Sequence, residues 1–141
     1  MKATRMLALL LALLLSLGAL AACRKEPPTG LWNNATFTED TTLGDGEHTL
    51  SLSLEMEGKI ILLTIQTNAK NVKDALLENG LIEGEQQAIG YLMTHLNGVR
   101  ADYEKDGAYW LFCQNGEALM YGIDSAAITG DVSYEFVYTP A

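Results

Sequence analysis

Basic residues are scarce in this chain: nine Lys and Arg stand against eighteen Asp and Glu in 141 residues, a formal net charge of −9. Nucleic-acid affinity comes mainly from Lys and Arg on phosphates, so no DNA or RNA partner is expected. Proline is nearly absent, three in all, and 48% of residues are hydrophobic against 19% charged. That balance excludes a disordered chain, and the length admits one modest domain but not two cores. Two cysteines and two histidines, none at metal-ligand spacing, exclude a zinc site of the usual kind. No serine sits in a G-x-S-x-G context and no glycine-rich phosphate loop occurs. With no catalytic constellation anywhere, an enzyme is not expected and no cofactor is called for.

Long apolar runs are also missing, with one exception. Lys2 and Arg5 precede Met6 to Leu20, an almost unbroken stretch of Leu, Ala and Met. It is shorter than the roughly 20 residues needed to span a hydrocarbon core, and it closes on small residues, which is the pattern of a secretory signal. Leu20-Ala21-Ala22-Cys23 resembles a bacterial lipobox. The resemblance implies cleavage after residue 22, lipid attachment at Cys23, and a protein held by acyl chains on the extracytoplasmic face of the cell membrane. Removing residues 1–22 takes two basic residues and no acidic ones, leaving a net charge of −11. Anionic headgroups repel such a body, so membrane attachment rests on the acyl chains. Cys113 is then the sole unmodified thiol, expected as a buried apolar residue.

Residues 23–47 show no sustained period and mix Pro27, Pro28, Gly30, Asn33 and Asn34 with Thr and acids, which reads as a lipidated flexible tether. Trp32 and Phe37 are the two residues there that can pack on a domain. From Thr49, Leu50, Leu52, Leu54 and Met56 alternate with Ser51, Ser53 and Glu55, a half-buried strand turning at Glu57-Gly58. Lys59 to Thr67 has apolar residues on both faces and is expected to be covered more fully. Asn71 is an N-cap with Asp74 three residues on, and Val72, Ala75 and Leu76 recur at helical spacing before Gly80. Glu83 to Ala88 reads as a polar link, Ile89 to Leu96 as a third strand with a turn at Asn97-Gly98, and Tyr109 to Gln114 as an aromatic strand. Asn115-Gly116 is a hairpin turn, Ala118 to Tyr121 the return, and Val132 to Tyr138 a last strand ending at Pro140. The expected fold class is α+β: a small β-grasp-like mixed sheet with one helix packed on one face, over residues 48–139.

The spacing Gly90-Tyr91, Asn97-Gly98-Val99, Tyr109-Trp110, Asn115-Gly116-Glu117, Gly122-Ile123, Gly130-Asp131 and Tyr138 resembles the transcobalamin-like C-terminal domain, a family common in exported bacterial proteins and lipoproteins. The resemblance implies a β-grasp domain of the soluble-ligand-binding type. In the vitamin carriers such a domain closes over one face of cobalamin beside a helical domain, a partner not expected in this chain. A cobalamin or other corrinoid ligand follows as an expectation, with a transporter or second surface protein supplying the missing wall. A structural or adhesive module docking on another surface protein is the other function class that stays open.

Candidate ligand-binding residues are Tyr109 and Trp110, which as strand neighbours point to opposite faces, so that one can pack while the other presents a flat ring. Asn115 and Gly116 can offer main-chain groups at the hairpin tip, and Tyr121 stands on its return. His95 has no second imidazole or thiol near it, and the acids Asp102, Glu104 and Asp106 lack the bidentate Glu of a calcium loop, so no metal site is expected.

Overall fold

The computed structural model describes residues 26–141. The signal peptide expected over residues 1–22 and the lipid attachment expected at Cys23 lie outside the described residues. A 3-10 helix (Gly30–Asn34) leads into β1 (Thr41–Gly44), β2 (His48–Met56), β3 (Lys59–Thr67) and α1 (Val72–Glu78). There follow β4 (Ile82–Gln87), β5 (Gly90–Leu96), β6 (Val99–Arg100) and the single turn α2 (Tyr103–Asp106). The chain closes with β7 (Ala108–Gln114), β8 (Glu117–Ala118) and β9 (Val132–Pro140).

The main sheet has the order β1-β3-β2-β9-β7-β8, and a second sheet has the order β4-β5-β6. Within the main sheet the β2–β3 hairpin, the parallel β2–β9 pair and the antiparallel β7–β9 pair give the mixed β3-β2-β9-β7 order of a β-grasp. The α+β class expected from the periodicity is what the chain adopts. Leu52 illustrates the register: it faces Leu63 on β3 and Tyr134 on β9, so all three side chains share the inner face. There they meet Val72, Ala75 and Leu76 of α1 in one core.

The helix ends are set locally. Asn71 Oδ1 accepts from the Asp74 N–H at 2.8 Å, and Asp74 Oδ2 accepts from Asn71 Nδ2 at 3.0 Å. At the other end Gly80, at φ +64°, lets the Gly80 and Leu81 N–H groups return to the carbonyls of Leu77 and Leu76. Leu81 is thereby driven into the core and the chain turns into β4.

Three expectations need correction. The first is the tether, of which residues 30–44 are built into the domain: Trp32 is 5% exposed, and β1 pairs in parallel with β3 from Thr41–Leu63 to Gly44–Gln66. The indole Nε1 of Trp32 donates to the Met56 carbonyl at 3.1 Å, with Lys59 Nζ 4.6 Å from the ring centre. This attachment comes from partners distant in sequence, which no local period reveals. Second, the stretch read as a polar link is β4. All its residues after Ile82 are exposed, so it shows no alternation and is held by its ladder to β5. Ile89, expected in the next strand, is the tip of the β4–β5 turn, and the return after Asn115-Gly116 pairs only over Glu117–Ala118. Third, the outer face of β3 is open: Ile60 and Leu62 are exposed, because none of the described residues forms a layer over that side.

Asn97 ties the parts together. It is 0% exposed at φ +53° in the β5–β6 turn. Its Oδ1 accepts from the Phe37 N–H at 2.9 Å and its Nδ2 donates to the Phe37 carbonyl at 2.8 Å. Its own N–H donates to the Leu81 carbonyl and its carbonyl accepts from the Thr36 N–H, both at 2.8 Å. Gly98 beside it stands at φ +81°, and a Cβ there would meet the Asn34 carbonyl oxygen at 2.5 Å. Asn97→Gly keeps the turn conformation and deletes only the carboxamide, leaving both Phe37 main-chain groups unpaired. It is expected to cost about 2–4 kcal/mol, whereas Asn115→Gly, at the same φ in an exposed turn, costs less than about 1 kcal/mol. Urea unfolding of the two variants measures the difference, and equal midpoints would remove Asn97 from this role.

Candidate functional site

β5 leans across the edge of β7 and leaves a cleft of about 530 Å³ between the two sheets. Its floor is Trp110, Phe112 and Phe136 from the inner face of the main sheet, its wall is Tyr91 to Thr94 of β5, and its ends are Asp102 to Glu104 and Gly122-Ile123. The volume lies within the range of small-molecule sites, and the lining is mostly apolar and aromatic, as such sites are.

The floor is rigid because its rings pack on one another. Phe112 stacks on Phe136 with centroids 4.9 Å apart at 21°, and Trp110 meets Tyr138 edge-on at 5.5 Å. The Trp110 Nε1 donates to the Val99 carbonyl at 3.2 Å, so the indole cannot swing out without losing a buried bond. Ile123 is placed by a loop fastened to the start of α1: the Val72 N–H donates to the Ala126 carbonyl at 2.9 Å and the Lys73 N–H to the Ile123 carbonyl at 3.1 Å. These are helix N–H groups that would otherwise lack acceptors.

Charge gathers at one end. Asp102 Oδ1 caps α2, accepting from the Glu104 and Lys105 N–H groups at 3.0 Å each. Arg100 grips Asp106 with two bonds of 2.8 Å, and Asp106 also accepts from the Asp102 N–H, which together pull its carboxyl down to about 2. Asp102 and Asp106 therefore have structural partners, and among the described residues no group of three or more His, Cys, Asp or Glu is placed to share a metal ion. On the wall, partial burial and then the Glu83 charge raise the Tyr91 phenol, and Lys73 Nζ lies 5.9 Å from its ring centre. His95 sits outside the cleft, its Nδ1 3.0 Å from Thr94 Oγ1 and 3.5 Å from Glu83 Oε2. Cys113 is buried on the opposite sheet face, where burial and then Glu135 raise its thiol.

Of the residues singled out from sequence, Tyr109 and Trp110 both line the cleft, with Tyr109 39% exposed and Trp110 8%. Asn115 and Gly116 lie outside it, at the β7–β8 tip, where the Gly116 N–H donates to the Glu135 carboxylate at 3.1 Å. Tyr121 lines a neighbouring depression of about 340 Å³ with Ile89 and Met120, which shares Tyr91, Leu92 and Gly122 with the cleft. Ile89 and Met120 are each 98% exposed, so the depression beside the cleft is edged by large apolar side chains. Sequence reasoning missed Tyr91, Tyr103, Phe112 and Ile123 as site residues. Gly90-Tyr91 and Gly122-Ile123 stood in the quoted pattern as fold markers only, and nothing in the residues around Tyr103 marks it.

The sequence model of one family, described as "Domain of unknown function (DUF4430)", matches residues 69–131, from just before α1 to just before β9. None of the curated proteins matches the chain. Among solved structures, a protein of Ruminococcus gnavus ATCC 29149 described as a candidate metal-binding protein is 18% identical, with a TM-score of 0.61 over 67% of this chain and 99% of that one. Haptocorrin in complex with Cbi is 19% identical, with a TM-score of 0.48 over 66% of this chain and 25% of that one. The Ruminococcus likeness establishes a shared fold: an α+β domain of β-grasp order carrying a second small sheet.

The packing separates the two adjacent aromatics. Trp110→Ala is expected to lower stability by about 3–5 kcal/mol, since it empties a packed site and orphans the Val99 carbonyl, whereas Tyr109→Ala changes it by less than about 1 kcal/mol. Thermal and urea unfolding of the two variants give the answer; a Trp110→Ala protein as stable as wild type would mean that the floor is not rigid.

Proposed function

We propose that this protein is a surface lipoprotein whose domain is a binding module, taking a soluble ligand with a flat or apolar face into the cleft between its two sheets. The observation that carries this reading is the cleft itself, a hollow of about 530 Å³ with a fixed aromatic floor and an exposed apolar rim. An apolar face laid on Phe112 and the edge of Trp110 removes surface from water on both sides at little ordering cost, because the rings are already held. A corrinoid is the ligand that the sequence resemblance brings forward. With His95 outside the cleft, such a ligand is held by apolar contact and hydrogen bonds and not by axial ligation of cobalt. A corrinoid enclosed from one side leaves much of its surface wet, so a second protein, a transporter or another surface protein, supplies the remaining wall. No catalytic role is part of this reading. The rim of Ile89, Leu92, Tyr103 and Met120 also favours the second reading, a module that docks on another surface protein.

Two measurements test the proposal. The first concerns the anchor: labelling cells with a palmitate analogue is expected to mark the protein, and Cys23→Ala to abolish both the label and its fractionation with membranes. Wild-type protein that is unlabelled and released to the medium would end the lipoprotein reading. The second is titration of the full chain in detergent with cobinamide, cyanocobalamin and haem, following the fluorescence of Trp110 and Trp32. Binding is expected to quench the Trp signal and to weaken at least tenfold in Tyr103→Ala, an exposed rim residue whose loss leaves the melting temperature in place. No quenching beyond the inner-filter control up to about 100 μM, weaker than any useful capture, would retire the corrinoid.

A further inference from the structure

The wall of the cleft beside Trp110 is the open edge of a β-strand. β7 pairs with β9 on one side, Ala108 opposite Pro140 and Trp110 opposite Tyr138. In an antiparallel ladder, alternate residues turn their N–H and C=O toward the partner. Two observations fix which do so here. The Ala141 N–H donates to the Gly107 carbonyl at 2.7 Å, so the odd-numbered residues face β9, and Pro140, opposite Ala108, has no N–H to give. On the other side the Leu119 N–H donates to the Phe112 carbonyl at 2.9 Å, so the even-numbered residues face away. β8 covers that side only from Phe112 onward. The N–H and C=O of Trp110 therefore point out of the sheet and have no main-chain partner among the described residues. The cleft touches both Tyr109 and Trp110, whose side chains lie on opposite faces of the sheet, so it runs along this edge.

We propose that the cleft takes an extended peptide segment of a second polypeptide, which adds to β7 at Trp110 as a short extra strand. This rests on the cleft being the ligand site, and it names a ligand class for it. The chemistry is specific to a peptide, because one residue offering both an N–H and a C=O at strand spacing satisfies both outward groups of Trp110 at once. Residues opposite each other in a ladder point their side chains the same way, so the residue facing Trp110 drops into the cleft toward Tyr91 and Ile123 and must be apolar. Its neighbours face solvent beside Tyr109. Two positions away the side chain returns to the cleft end at Asp102 and Glu104, and Glu104 has no ion pair among the described residues. With a chain of net charge −9 behind that end, the segment carries Lys or Arg there.

The test changes the peptide and leaves the protein intact. Acetyl-Lys-Thr-Leu-Thr-Lys-amide has an apolar centre and a basic residue two positions away in either direction. It is expected to bind the full chain in detergent saturably, to change Trp fluorescence, and to slow hydrogen exchange at the Trp110 amide at least tenfold. N-methylation of the central Leu nitrogen, which removes one ladder bond and keeps the side chains, is expected to weaken binding at least tenfold. Replacing both Lys by Glu is expected to weaken it at least fivefold at low salt. Equal binding of the N-methylated peptide, or an unchanged Trp110 amide, overturns strand addition and leaves the cleft reading standing. No binding of either peptide, while cobinamide binds and Tyr103→Ala weakens it, overturns the peptide and again leaves the cleft. If neither peptide nor corrinoid nor haem binds, both readings fall.

Discussion

The carboxamide of Asn97 is the point where three separately built parts of the chain meet. Its two hydrogen bonds hold Phe37 of the N-terminal strap, while its main chain joins Thr36 on one side and Leu81, the residue after the α1 cap, on the other. All four bonds lie between 2.8 and 2.9 Å and the residue has no solvent exposure. An unpaired polar group in that position costs more than a paired one contributes, so the strap, the β5–β6 turn and the helix exit are placed together or not at all. Once they are placed, β5 has one position relative to β7, and the width of the cleft follows from it.

That dependence explains why the cleft has a packed floor and an exposed rim. The floor residues belong to the main sheet, where Trp110, Phe112 and Phe136 are held by ring packing and by the Val99 bond. Tyr103 at the rim comes from a single helical turn that leaves it exposed, and Ile89 and Met120 of the neighbouring depression come from a turn and a loop that leave them exposed too. The acids Asp102 and Asp106 at the cleft end are absorbed into a cap and a bidentate Arg pair, which leaves Glu104 to set the local sign of charge.

Much of the main sheet was legible from residue order. Alternation at Leu50 to Met56, the Asn71 cap, Gly80, and the Glu57-Gly58, Asn97-Gly98 and Asn115-Gly116 turns are local signals, since each depends on residues within a few positions of one another. All three turns have both residues at positive φ, as Asn-Gly implies at two of them. β4 escaped because an edge strand exposed on both faces needs no hydrophobic period, only main-chain partners. The strap escaped because Trp32, Phe37 and β1 find their partners some 20 to 60 residues away. Ile60 and Leu62 misled in the opposite sense: an apolar second face promised a covering layer that the described fold does not build.

The candidate site divides along the same line. Sequence alone determined that Tyr109 and Trp110 would face opposite ways, because strand geometry alternates side chains whatever surrounds them. It determined the acidic character, which is a matter of composition. Which of the two aromatics packs and which is half-exposed was decided by the tertiary structure, through Val99 and Tyr138 beside Trp110. The cleft itself was decided there too, because Tyr91, Tyr103, Phe112 and Ile123 come from four elements that no local spacing connects, and become neighbours only when the second sheet is pinned across the edge of the first.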